Sequence, residues 1–298
     1  MKKLISFLLL ITPIMFINNA SAATSGSCGD SATWSYDTTT KVLTISGTGN
    51  TYNYSTGTQP WGAYLGSIEE VVVSDGITRL GQFNFKNATK LTKVTLPESL
   101  TSLGGDVFNG ATKLKDINFP SQLTHIPGWG FSGTALEEVT IPHASKIDNG
   151  AFDSSSLKKI TLPEGLESIN YRAFRLTNIE ELVIPSSVKT IDSEAFSNVH
   201  SLKSLTIYDD EEITINSTAF WQVDMSKIKI YCAGKNGMGN ADKCNSFFSK
   251  AGYNVSTISI TDPLQNSKIS SRMKRRIYTV QEANEAAGRK NTVMIRYK

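Results

Sequence analysis

The chain has 298 residues, 39% of them hydrophobic and 19% charged, with a formal net charge of +3. That apolar content supports a packed core and excludes an intrinsically disordered chain or a highly charged coiled coil, and so small a charge gives no argument for nucleic acid as a partner. After the N-terminal segment, no run approaches the roughly 18 apolar residues needed to span a membrane.

Lys2-Lys3, an apolar stretch from Leu4 to Ile17, and Ala20-Ser21-Ala22 before Ala23 predict a cleaved secretory signal over residues 1–22. Export to an oxidising compartment permits disulfides. Residues 23–67 read as an N-terminal β cap. Within it, residues 32–47 alternate as Trp34, Tyr36, Val42 and Ile45 around the turn Asp37-Thr38-Thr39-Thr40, which predicts a hairpin laying its aromatics over the first turn of a repeat array. Trp61, after Pro60, completes that lid.

The array runs from residue 68 to 230, where the sequence repeats itself. Leu91, Val94, Leu96 and Pro97 fall in register with Leu114, Ile117, Phe119 and Pro120, and again with Leu136, Val139, Ile141 and Pro142. Further copies begin at Leu157 and Ile179, and less complete ones at Ile68, Leu202 and Met225, at steps of 21 to 23 residues. A second pair keeps phase with the first: Leu80 and Phe85 are five apart, as are Ile126 and Phe131, Ile147 and Phe152, and four other pairs. A unit of about 22 residues is too short to enclose a core, so each must bury its apolar face against the next. The prediction is a repeat solenoid of about eight turns, mainly β. The alternation in Lys93-Val94-Thr95-Leu96 supplies one parallel strand per turn, ended by the proline, and the Phe residues form an internal ladder.

Residues 147–163, Ile-Asp-Asn-Gly-Ala-Phe through Leu-Lys-Lys-Ile-Thr-Leu-Pro, closely match the unit of a known family. On this motif the array resembles the BspA-like leucine-rich repeats of bacterial secreted and surface proteins. Ser27-Cys28-Gly29-Asp30 through Trp34, and Leu43 to Gly49, resemble the segment that often precedes such arrays. The resemblance implies a leucine-rich repeat fold and a role in adhesion or in binding host proteins. Tyr208-Asp209-Asp210-Glu211-Glu212 replaces the proline turn near the end of the array, a departure from the pattern.

Residues 231–262 read as a C-terminal cap: a short amphipathic helix from Ala241 to Ala251 carrying Phe247 and Phe248, a stop at Gly252, and a strand from Val255 to Ile260. Cys232 and Cys244 are twelve apart with Gly234, Gly237 and Gly239 between them, so their pairing is the economical disulfide, pinning the helix to the last strand. Cys28 then stays free or pairs outside the chain. Twelve-residue spacing without a nearby His supplies too few ligands for zinc. A polar linker over 263–271 leads to a basic β-α-β module over 272–298, with strands at 276–280 and 293–297 around a helix starting at Thr279. Residues 268–298 hold nine Lys or Arg against two Glu, whereas the remainder without Lys2 and Lys3 holds 19 basic against 25 acidic residues.

No HExxH, P-loop, GxSxG or CxxC motif is present. His125, His143 and His200 fall at variable polar positions of different turns and read as solvated surface. The reading is of a protein that is not an enzyme and needs no metal or cofactor. The outward column one residue before each strand Val or equivalent is Glu70, Lys93, Asp116, Glu138, Lys159, Glu181, Ser204 and Lys227. Beside it lie Val72, Thr95, Asn118, Thr140, Thr161, Val183, Thr206 and Lys229. These columns form the candidate binding face for a protein or glycan on a host or neighbouring cell. The alternative is an envelope spacer tethered to anionic polymer by Arg272, Lys274, Arg275 and Arg276.

Overall fold

The computed structural model describes residues 23–208, 211–234, 237–255 and 258–261. The expected signal segment, the linker and the basic module with its four tether residues lie outside the described residues.

Each turn of the solenoid lays down a front strand, a rear strand and a tight corner carrying Phe. In the front strands the central residue points inward and its neighbours face solvent, as in Lys93–Thr95, Glu138–Thr140, Lys159–Thr161 and Glu181–Val183. Successive front strands pair in parallel and in register, Glu70 with Lys93 and Val71 with Val94. The five-residue Ile-to-Phe motif conceals a second parallel ladder that the sequence reading lacked. Its rear strands His125–Ile126, Lys146–Ile147, Ser168–Ile169, Thr190–Ile191 and Thr214–Ile215 pair in chain order. The prolines open the connection between the ladders, with the amides of Leu100, Leu166 and Val188 donating to the carbonyls of Pro97, Pro163 and Pro185.

At the corner the Phe amide reaches into the next turn: Phe152 donates to Ala173 and Phe174 to Ala195, both at 2.8 Å. The corner requires left-handed backbone, supplied largely without glycine by Asp106, Trp129, Arg172 and Glu194, at φ between 55° and 56°. Gly150 holds the same position at φ 63°, where a Cβ would sit 2.5 Å from the Trp129 ring. The seven Phe side chains from Phe85 to Phe220 stack through the core with centroids 5.3 to 5.7 Å apart. Eight front strands of the repeat thus bound seven turns.

The front ladder is interrupted after Asp116–Ile117 and again after Lys159–Thr161. At the first break Asn118 turns its carboxamide onto the preceding turn, accepting from the Leu96 amide at 2.8 Å and donating to the Leu96 carbonyl at 2.7 Å. The rear ladder breaks one turn earlier, between Ser102–Leu103 and His125–Ile126. The turn containing Asp116 to Phe131 is therefore strand-paired to its predecessor only at the front and to its successor only at the rear.

Both ends are closed by aromatic residues. The hairpin of Ala32–Tyr36 and Val42–Gly47 forms as expected, with the Asp37 carboxylate accepting from the Thr39 and Thr40 amides. Rather than lying over the first turn, it extends the sheet, since Val42–Gly47 pairs in parallel with Glu70–Val73. The lid is Trp61, fully buried, stacked on Phe85 at 5.4 Å and edge-on to Trp34 and Tyr54. Its indole N–H donates to the Asn84 carbonyl at 2.9 Å. At the far end Tyr253 packs edge-on against Phe220, and its hydroxyl accepts from the Phe220 amide at 2.8 Å.

The last repeat corrects the sequence register. Leu205 pairs with Ile230 and Ile207 with Cys232, so this step is 25 residues rather than 23. A 3-10 turn over Met225–Lys227 takes up the difference and buries Met225 outside the strand. Lys227 therefore leaves the sheet face, where it was expected, and pairs with Asp224, while Lys229 takes its column opposite Ser204. The strand Lys229–Gly234 also runs across the boundary expected at residue 230.

The helix Ala241–Lys250 forms as predicted, capped by Asn240 accepting from the Lys243 amide, with Phe247 and Phe248 buried. The strand expected over 255–260 is Ile258–Thr261, paired with Lys229–Gly234. Cys232 and Cys244 are joined, Cα atoms 6.0 Å apart, tying helix to strand. Reduction is expected to lower stability by about 2 to 3 kcal/mol through the freed loop, read as a lower melting temperature. Cys28 is buried, and desolvation pushes its thiol up to about 12. It should resist alkylation in native protein and react on unfolding; rapid native labelling would contradict this environment.

Candidate functional site

The front strands, with Asn118 just past the end of its strand, present all ten candidate binding residues at exposed positions: Lys93, Thr95, Asp116, Asn118, Glu138, Thr140, Lys159, Thr161, Glu181 and Val183. Their chemistry divides by column. In the charged column opposite signs meet across turns, Lys93 with Glu70 at 2.9 Å and Lys159 with Glu138 at 3.4 Å. One residue upstream, Lys158 pairs with Glu137 at 2.9 Å and Lys203 with Glu180. The hydrogen bond that Lys93 donates to Glu70 holds its ammonium above its ordinary pKa, and the one that Lys158 donates to Glu137 holds the Glu137 carboxyl below its own. Much of this stripe is neutralised from within, and exposed pairs of this kind contribute little to stability.

The neighbouring column differs. Several hydroxyls elsewhere on the solenoid are tied down, Thr92 donating to the Glu69 carbonyl, Thr101 to Thr78, Ser145 to Thr124 and Ser201 to Ile179. Among the described residues, the side-chain hydroxyls of Thr95, Thr140 and Thr161 have no hydrogen-bond partner. They face solvent at one position per turn. Val183 continues the column, 51% exposed and in register with Thr206. Asn118 is the exception, its carboxamide spent on Leu96.

The sequence reading missed an open hollow of about 460 Å³ where the first hairpin meets the first rear strands, lined by Asp30, Asn50, Tyr52, Asn53 and Arg79 among others. The Tyr52 hydroxyl donates to Asp30 at 2.7 Å and Arg79 to Asn53 at 3.0 Å, so its polar groups largely bond one another. No motif marks this hollow, which arises where hairpin and array join. The three His residues are distant in sequence and occupy separate turns, as expected; His125 lies 3.9 Å from Asp148 and the other two are exposed. Among the described residues no three His, Cys, Asp or Glu gather to hold a metal, and no helix is long and apolar enough to cross a membrane.

A family model described as "BspA type Leucine rich repeat region" matches residues 63–176 and 130–236, in six copies. No curated protein matches the chain closely enough to be counted a relative. Among solved structures it is similar to a leucine-rich repeat protein from Eubacterium ventriosum, at 24% identity and TM-score 0.49, over 71% of this chain and 69% of that one. It is also similar to a leucine rich cell surface protein from Faecalibacterium prausnitzii, at 16% identity and TM-score 0.45, over 72% and 71%. The leucine-rich repeat protein of T. pallidum is 19% identical with TM-score 0.36, over 76% and 96%.

Proposed function

The chain belongs to the BspA-type leucine-rich repeat family, and from that membership we propose that it is an exported or cell-surface protein whose front sheet face binds a protein or glycan. The observation that carries this reading is the column of hydroxyls at Thr95, Thr140 and Thr161, unengaged among the described residues, which runs on into the exposed Val183. Hydroxyls at one position of separate turns, with Thr140 and Thr161 on paired strands about 4.8 Å apart, suit an extended ligand that meets one turn after another. Val183 adds apolar contact, and the ion pairs alongside leave no strong field against an approaching surface. The role is one of recognition, without a reaction of its own.

Thr140→Arg with Thr161→Arg places two long side chains in the column without disturbing the buried face. Binding of the labelled protein to host epithelial cells and to neighbouring bacteria is expected to fall at least about tenfold, equivalent to about 1.4 kcal/mol. His200→Arg, off the face, should leave it unchanged. Equal binding by all three proteins would reject the sheet face as the site.

The split in charge supports a second role, retention on anionic envelope polymer through Arg272, Lys274, Arg275 and Arg276. Screening lengths shorten from about 10 Å at 0.1 M salt to about 3 Å at 1 M. Tethered protein should therefore wash from cells at high salt, and replacing the four residues with Ser should abolish retention. Retention indifferent to both would reject the tether.

A further inference from the structure

The corner column immediately after each Phe brings side chains of adjacent turns together. Midway along the array Asp153 and Arg175 meet there in a two-pronged ion pair, at 3.0 and 2.9 Å. In the first two turns the same column places Lys86 beside Asn109, an amine beside a carboxamide. The register between them is fixed by the Asn87 amide donating to the Asn109 carbonyl at 2.7 Å. Asp106, on the left-handed corner at φ 56°, completes the group.

A single oxygen of Asp106, Oδ1, accepts from Lys86 Nζ at 2.7 Å and from Asn109 Nδ2 at 2.7 Å. The carboxylate thus touches both nitrogens of an amide exchange, the one that would attack and the one that would leave. The Lys86 and Asp106 side chains are only 24% and 20% exposed, and the Phe83 ring covers the amine at 4.9 Å. An ion pair alone accounts for Lys86 and Asp106. The same oxygen also holds the carboxamide nitrogen of Asn109, three residues along the same corner, where the Asn109 amide donates to the Asp106 carbonyl at 3.2 Å.

We propose that Lys86 and Asn109 become joined by an intramolecular amide bond, with Asp106 carrying the protons. The Asp106 carboxylate takes a proton from the Lys86 ammonium, and the freed lone pair attacks Asn109 Cγ. Collapse of the tetrahedral intermediate breaks the Cγ–Nδ2 bond, while two protons in all pass from Nζ through Asp106 to the departing nitrogen. The ammonium and the carboxamide become a secondary amide and an ammonium ion. Asp106 returns to its starting state, and neither oxidant nor cofactor is consumed. The product is a covalent staple between the first two turns, a property separate from recognition at the front face.

The test is mass spectrometry of the purified full chain after reduction of its disulfide, compared with the mass of its processed sequence. The expected result is a deficit of about 17 Da, for one ammonia, with a branched tryptic species joining the Lys86 and Asn109 peptides. Both should vanish in Lys86→Arg, which keeps the ion pair, and in Asp106→Asn, which keeps the shape; cooperative melting of each variant shows that it folds. Two results would overturn the proposal. One is full mass with linear peptides in the parent protein after prolonged incubation. The other is a deficit that persists in Lys86→Arg, which would place the ammonia loss in a cyclic imide at Asn109-Gly110.

Discussion

Phe152→Ala is expected to destabilise the protein by about 3 to 5 kcal/mol, the range for emptying a buried aromatic site. The ring is fully buried and stacks on Phe131 at 5.4 Å and on Phe174 at 5.5 Å. The cost should fall at the upper end, because the neighbouring rings are held by corner backbone bonded from turn to turn and cannot collapse into the gap. His143→Ala, on an exposed position of the same region, should change stability by less than about 0.5 kcal/mol. Equal, small shifts in the melts of the two variants would remove the ladder as the source of stability. Since each turn touches only its neighbours, the Phe152 variant should also melt less cooperatively, the array divided into two shorter stacks.

Arg175→Ala is expected to be the second severe substitution, at about 2 to 4 kcal/mol. Its partner Asp153 has a side chain only 4% exposed, and Arg175 meets both of its carboxylate oxygens. Removing one member of such a pair strands a charge in a poorly hydrated site, which costs more than the pair itself contributes. The lower part of the range reflects the Arg175 side chain, 26% exposed, whose loss lets some water reach the carboxylate. The double variant Asp153→Ala with Arg175→Ala should be less destabilised than the sum of the single variants, because neither charge is then left alone. Additive losses in urea titrations would show that the two residues act independently.

Much of this architecture was legible because the motif repeats. One inward Val identifies little, but Val94, Val139, Ile160 and Leu182 recurring beside a phased Phe identify a stacked strand. The failures came where a residue type disguised its role. Cys232 occupies an inward strand position as half of a disulfide, while Met225 and Ile228, buried at a 3-10 turn, imitate the repeat two residues too early. The left-handed corners escaped notice because Asp106, Arg172 and Glu194 carry no glycine signal. Tyr253 caps the ladder from beyond the array, where periodicity has nothing to say. The candidate face was legible as a row of outward positions. Which hydroxyls remain unengaged was not, because that depends on carbonyls brought close by the adjacent turn.

The staggered breaks in the two ladders make the turn from Asp116 to Phe131 a lap joint in the rod. A lap joint bends without parting: the front bonds hold this turn to one half, the rear bonds hold it to the other, and the corner amides of Phe108 and Phe131 run through both interfaces. Flexure at that turn would change the curvature of the front face between Asp116 and Glu138 while each half kept its own shape. A ligand lying along the face would set that angle, and tension applied along the rod would reach the joint before it reached the strands on either side.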